Sequence, residues 1–127
     1  MRSKAYCVKV APISWQRLVR SGSRFYDSQA RDRVSFGLYL SQQHNNEPFF
    51  DKPIHMDVIF YIAPPKTVKD KATCPKSNSP SLESLYKFFI DAIKDILITD
   101  NRVICSLSVK KVYDKEPRTE LIITEVE

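Results

Sequence analysis

Cysteine, glycine and histidine are scarce in this chain, and it has no long apolar run. Cys7, Cys74 and Cys105 are widely spaced and odd in number, so they make neither a disulfide framework nor a zinc motif. That pattern predicts a reduced, intracellular protein. His44 and His55, the only two histidines, have no ligand-like partners near them in sequence. No segment approaches the roughly 18 uninterrupted apolar residues of a membrane helix, and the opening MRSKAYCVKV has no signal-peptide core. There are no internal repeats. With 127 residues the chain fits one domain, 1–127, which can bury a real core.

Positive charge is present and unevenly spread. Residues 1–45 hold eight Lys and Arg against two acids, whereas 46–127 hold twelve against thirteen. A basic first third beside a mixed remainder suits a polyanionic partner or a merely soluble basic surface.

Tyr6, Val8 and Val10 alternate with Cys7 and Lys9 as a short strand, which Ala11-Pro12 ends. A basic loop with Arg17, Arg20 and Arg24 follows, with a turn at Ser21-Gly22 and a possible short strand at Arg24-Phe25-Tyr26. Asp27 or Ser28 can cap a helix over 29–43. Its expected apolar positions are Ala30, Val34, Phe36, Leu38 and Leu40, and Gly37 inside it costs about 1 kcal/mol relative to Ala. A polar loop over 44–53 leads into the best strand, 54–62. There Ile54, Met56, Val58, Phe60 and Ile62 share one face. Ile59 and Tyr61 on the other face predict that its far half is covered on both sides.

Residues 63–80, with four prolines and four lysines (Lys66, Lys69, Lys71, Lys76), form a long basic loop. It reads either as a solvated loop or as one that closes on a nucleic-acid backbone. A strand over 103–112, a hairpin loop over 113–119 and a last strand over 121–126 complete the order. Two helices and strands in consecutive hairpins predict an α+β two-layer domain with a mixed sheet.

The segment from Ser81 to Val103 carries the chemistry. Leu82, Leu85, Phe89, Ile93 and Ile96 form one helical stripe, and Glu83, Lys87, Asp91 and Lys94 line another face. Pro80 precedes this helix, and Ser81 is positioned to cap it or to open its first turn. Asp100 follows in the next turn. Such a face is either a solvated helix surface with i,i+4 ion pairs or a metal-dependent site. Glu83 and Asp91 lie about 12 Å apart along a straight helix axis, so both cannot ligate one ion directly.

This segment resembles the signature of the RusA-type Holliday junction resolvases. In that family an Asp-x-Asp-Asn-Leu-x-Lys run opens a helix, with Asp-Ala-Leu further along and an Asp-Asp pair before the next strand. Here Ser81-Leu82-Glu83-Ser84-Leu85-Tyr86-Lys87, Asp91-Ala92-Ile93 and Thr99-Asp100 correspond. Ser81 and Thr99 stand where the family has aspartates, and Glu83 keeps its charge on a longer arm. The order of the first third, from Pro12 to Ser28, and the last strand also follow the family. The resemblance implies a RusA-like fold and a homodimer that binds branched DNA in a bacterium or phage-infected bacterium. It further implies cleavage of four-way junctions in the cytoplasm, with Mg²⁺ held by Glu83 and Asp100.

Hard divalent cations suit this chemistry, because they lower the pKa of bound water and neutralise developing charge. Mg²⁺ takes oxygen ligands and keeps several waters. Lys87 would then hold a phosphate oxygen, with Asp91 orienting it or in a second shell. Arg17, Arg20, Arg24, Lys66, Lys69, Lys71 and Lys76 would contact phosphates. Because Ser81 removes a carboxylate, two readings stay open beside an active nuclease. One is a non-cleaving relative that binds DNA or regulates an active nuclease. The other is a small α+β interaction module with a salt-bridged helix.

Overall fold

The computed structural model describes residues 2–64 and 79–126. Its elements are β1 (Ser3–Val8), β2 (Val19–Ser21), β3 (Arg24–Tyr26), α1 (Ala30–His44), β4 (Ile54–Ile62), α2 (Leu82–Ile93), a 3₁₀ turn (Asn101–Val103), β5 (Ile104–Tyr113) and β6 (Arg118–Glu125). β1, β6, β4 and β5 form one mixed sheet in that order, and β2 and β3 form a separate two-stranded ribbon. Two helices pack on one face of the sheet, the α+β two-layer arrangement the sequence predicts.

The sequence pattern misleads on one connection. β5 and β6 are consecutive but do not pair as a hairpin. β4 lies between them, parallel to β5 and antiparallel to β6. β4 alternates buried and half-buried residues from Ile54 to Tyr61, as suits a central strand, and it hydrogen-bonds on both edges. β5 is left at the sheet edge, with Cys105 to Ser108 all exposed.

The core joins Met56, Val58 and Phe60 of β4 to Leu121 and Ile123 of β6, Phe36 and Leu40 of α1, and Leu85, Phe89 and Ile93 of α2. Phe36 meets Phe88 and Phe89 edge-on, each with ring centroids 6.0 Å apart. Burying each such ring stabilises the fold by roughly 1.5–3 kcal/mol.

The inward stripe of α1 differs from the expected one. Phe36, Gly37, Leu40 and His44 face the core, while Ala30, Val34 and Leu38 are exposed. Gly37 is explained by packing, because a Cβ there would come within 2.5 Å of Ile96 Cδ1. Near the end of α1 the Gln43 amide accepts from the Cys7 N–H (2.8 Å) and donates to its carbonyl (2.6 Å), satisfying the edge of β1. Asn45 and Asn46 then take left-handed φ values of 52° and 60°, which asparagine tolerates at a helix end.

The far face of β4 is not covered by a second layer among the described residues. Tyr61 is instead shielded by the Arg118 guanidinium, 3.7 Å from its ring centroid. β1 stops at Val8, before Val10.

Candidate nucleic-acid and cleavage site

α2 starts where the sequence predicts and ends sooner. Ser81 is its N-cap, and its hydroxyl accepts from the Ser84 N–H at 3.2 Å. The helix stops at Ile93, and Lys94 is already extended, so Ile96 and Lys94 fall outside the helix. Asp95 turns the chain with a φ of 65°.

Glu83, Lys87 and Asp91 are exposed on α2. Among the described residues Lys87 forms no ion pair with Glu83 or Asp91. Its ammonium lies 3.7 Å from the centroid of the Trp15 ring. Trp15 is also bound to the same helix through its main chain. Its N–H donates to the Ser84 carbonyl (3.0 Å), and the Ser84 hydroxyl donates to the Trp15 carbonyl (3.2 Å). The Ser14 and Ser84 hydroxyls are 2.6 Å apart. From the other side, the buried Gln29 amide donates to the Ser14 carbonyl (2.7 Å) and accepts from the Gln16 N–H (2.9 Å). The loop carrying Arg17 is thus stitched to the first turn of α2 and to the start of α1.

The start of α2 has a second tether. Lys111, near the end of β5, donates to the Ser79 hydroxyl and the Pro80 carbonyl, each at 2.8 Å. Glu83 therefore lies toward the end of the sheet where β4 and β5 finish.

Asp100 is at the opposite end. Its side chain accepts from the Arg102 N–H (3.0 Å) and caps the 3₁₀ turn that runs into the start of β5. Ile98, two residues before it, bridges to Phe50 ahead of β4. From Glu83 to Ile93 the helix alone spans about 15 Å. Within one chain the two carboxylates are not brought together around one ion.

The Arg102 amide hydrogen bond, followed by the charges of Arg102 and Lys94, holds the Asp100 carboxyl below the usual aspartate range. Arg102 is 91% exposed and 3.5 Å from Asp100, a pair that separates readily. Among the described residues no group of three or more His, Cys, Asp or Glu is arranged to hold a metal ion. Lys66, Lys69, Lys71 and Lys76 lie outside the described residues.

A model of the RusA endodeoxyribonucleases matches residues 8–124. The chain belongs to the RusA family. RusA membership carries Holliday junction resolvase-type DNA binding and cleavage at the level of the family. The chain is also similar to an uncharacterized protein, YqaN, of Bacillus subtilis (strain 168). The two are 29% identical over 119 residues, covering 85% of this chain and 84% of the relative. No helix among the described residues is long and apolar enough to cross a membrane.

Sequence reasoning missed Trp15, Ser84, Gln29 and Lys111, which position the RusA-like helix. Trp15 carried a signal, as the one tryptophan of the chain placed in a polar, basic loop. The other three are ordinary polar residues whose partners are remote in sequence.

Proposed function

We propose that this RusA-family protein binds branched DNA as a homodimer and cuts four-way junctions with a divalent metal ion, Mg²⁺ being the hard cation its ligands suit. The observation that carries the reading is the stitching of the arginine-bearing loop to the first turn of α2. Through Trp15 the loop that carries Arg17 is held against Ser84 and Lys87 of α2, which supports a phosphate-binding role for its arginines. Arg17, Arg20 and Arg24 are exposed and contact phosphates, as do Lys66, Lys69, Lys71 and Lys76. Lys87 binds a phosphate oxygen, and Asp91 completes the polar face of α2.

The donor chemistry fits a hard cation. Glu83 and Asp100 supply carboxylate oxygens, and Mg²⁺ is commonly held by one or two carboxylates together with substrate phosphates. When bound, such an ion supplies an activated water and neutralises charge on the phosphate. The separation of Glu83 from Asp100 along α2 means that, for one ion, they serve it from two different chains. A two-fold dimer then carries two such sites, which suits paired cuts across a junction.

A specific observation favours a second reading, in which the chain binds junctions without cutting. Ser81 holds a family aspartate position, and its hydroxyl is engaged in capping Ser84. The test incubates the protein with a labelled four-way junction and a matched duplex in Mg²⁺, Mn²⁺ or chelator. Metal-dependent paired nicks, abolished by Glu83→Gln, establish the nuclease. Junction binding without nicks in either metal establishes the second reading. Each phosphate neutralised releases counterions, so affinity falls steeply with salt in both cases. A flat salt response overturns both.

A further inference from the structure

The β2–β3 ribbon is not part of the main sheet, and both of its faces carry large apolar groups in solvent. Phe25 is 63% exposed and Tyr26 is 52% exposed. The register pairs Arg20 with Phe25, Val19 with Tyr26 and Ser21 with Arg24. Phe25 and Arg20 therefore share one face of the ribbon, while Tyr26 and Arg24 share the other. Gly22, with a φ of 65°, makes the tight turn between the strands, and its carbonyl accepts from Arg20 Nε at 2.9 Å.

An isolated two-stranded ribbon is marginal in water and has no core of its own for two aromatic rings. Its charge identifies the occupant. Residues 1–26 contain no acid at all, and the first one, Asp27, is already paired with Arg33. A second copy of the same ribbon would bring cations against cations. A polyanion with apolar faces is complementary, and unpaired nucleobases joined by phosphates have that chemistry. Each aromatic ring offers a base a stacking surface, and the arginine beside it offers the adjoining phosphate a charge-assisted hydrogen bond.

We propose that the β2–β3 ribbon is a wedge that enters the branch point of its DNA and stacks exposed bases on Phe25 and Tyr26. The proposal rests on the DNA-binding reading above and deepens it, because it explains how a branched substrate is told from a linear one. A linear duplex presents no open base faces, so the aromatic rings act only where strands diverge. The ribbon is joined through residues 14–16 to the first turn of α2, so a seated wedge fixes the register of the backbone against Lys87.

The test measures equilibrium binding of the full chain, in chelator, to a four-way junction and to a duplex of matched sequence. The variants are the double substitution Phe25→Ala/Tyr26→Ala and the stacking-competent Phe25→Trp/Tyr26→Trp. The alanine variant is expected to lose about 10- to 100-fold in junction affinity and less than about threefold on the duplex. The tryptophan variant is expected to restore junction binding. Both rings are exposed, so thermal unfolding is expected to be unchanged and serves as the folding control.

Wild-type junction affinity in the alanine variant would overturn the wedge while leaving DNA binding standing. Equal loss on both substrates would overturn it in favour of a general backbone contact. A fall in oligomeric state accompanying the loss would overturn it in favour of self-association. Failure of the unaltered protein to bind any DNA at low salt would remove the DNA reading itself, which makes the two failures distinguishable.

Discussion

The Lys87 ammonium rests 3.7 Å from the centre of the Trp15 ring, although the two residues are 72 positions apart in the chain. This contact replaces the i,i+4 salt bridges that the helix pattern offered Lys87. The ammonium over the indole is not paired with either acid of its helix face, and Lys87 is exposed to an approaching phosphate. Such an interaction contributes roughly 0.5–2 kcal/mol, depending on solvent access. Trp15→Ala is therefore expected to weaken junction binding about 2- to 30-fold, with Trp15→Phe retaining most of it. Titrations of the two variants in chelator check this, and equal losses for both would remove the ring's electrostatic role.

Ser81 caps α2 in the fold and stands where the family pattern has an aspartate, and two substitutions separate the two roles. Ser81→Ala removes the cap and is expected to destabilise the protein by about 1 kcal/mol. Ser81→Asp keeps a capping oxygen, so its unfolding midpoint should stay near that of the natural chain. It also returns a carboxylate beside Glu83, and metal-dependent cleavage should rise. Denaturant melts and junction cleavage in Mg²⁺ read the two effects independently.

The opposed positions of Glu83 and Asp100 make a complementation experiment decisive. Glu83→Gln and Asp100→Asn proteins are each expected to be inactive alone. If the ion is shared between chains, a mixed dimer pairs an intact Glu83 from one chain with an intact Asp100 from the other. Mixing the two inactive proteins should then restore nicking at one of the two sites. If each chain carries its own site, the mixture stays inactive.

His44 predicts a pH dependence of stability. It is buried, with Nδ1 2.7 Å from the Tyr6 hydroxyl and Nε2 3.2 Å from the Pro48 carbonyl. Nε2–H donates to the Pro48 carbonyl, and in the neutral ring, which burial favours, Nδ1 accepts from Tyr6. Burial, with Lys4 adding to it, holds the His44 pKa below the usual histidine value of 6.5. Burial also pushes the Tyr6 hydroxyl up to about 12, which keeps it a donor to His44.

In the unfolded chain His44 takes a proton as pH falls through about 6.5, while the folded chain resists. The unfolded state then binds more protons, so stability is full above that pH and declines below it. The unfolding midpoint is expected to fall between pH 7 and 5, and His44→Gln should flatten that slope. A second decline, below about pH 4, belongs to Asp100 and Asp114, whose carboxyls are held below the usual range by local backbone hydrogen bonds.

Local signals determined much of this protein. Alternation along 54–62 was enough for β4, because a central strand buries one whole face. The 3.6-residue period of Leu85, Phe89 and Ile93, with Ser81 ahead of it, was enough for α2. The signature around Lys87 was enough for the family. α1 was legible as a helix but not in its orientation. Its apolar residues lie on both sides, so period alone could not decide whether Val34 and Leu38 or Phe36 and Leu40 face inward. Packing decided it, since only the Gly37 side lets Ile96 approach.

Tertiary structure alone decided three further things. It inserted β4 between β5 and β6, a non-local pairing that neither strand's pattern encodes. It bound Trp15 to Ser84 and Lys87, a contact that closes a loop of nearly seventy residues. And it held Glu83 and Asp100 at opposite ends of α2, because both ends of that helix are tethered, by Lys111 near the finish of β5 and by Ile98 beside Phe50. Spacing in a sequence gives the distance along the helix, but it cannot say at which end of the sheet each carboxylate comes to lie.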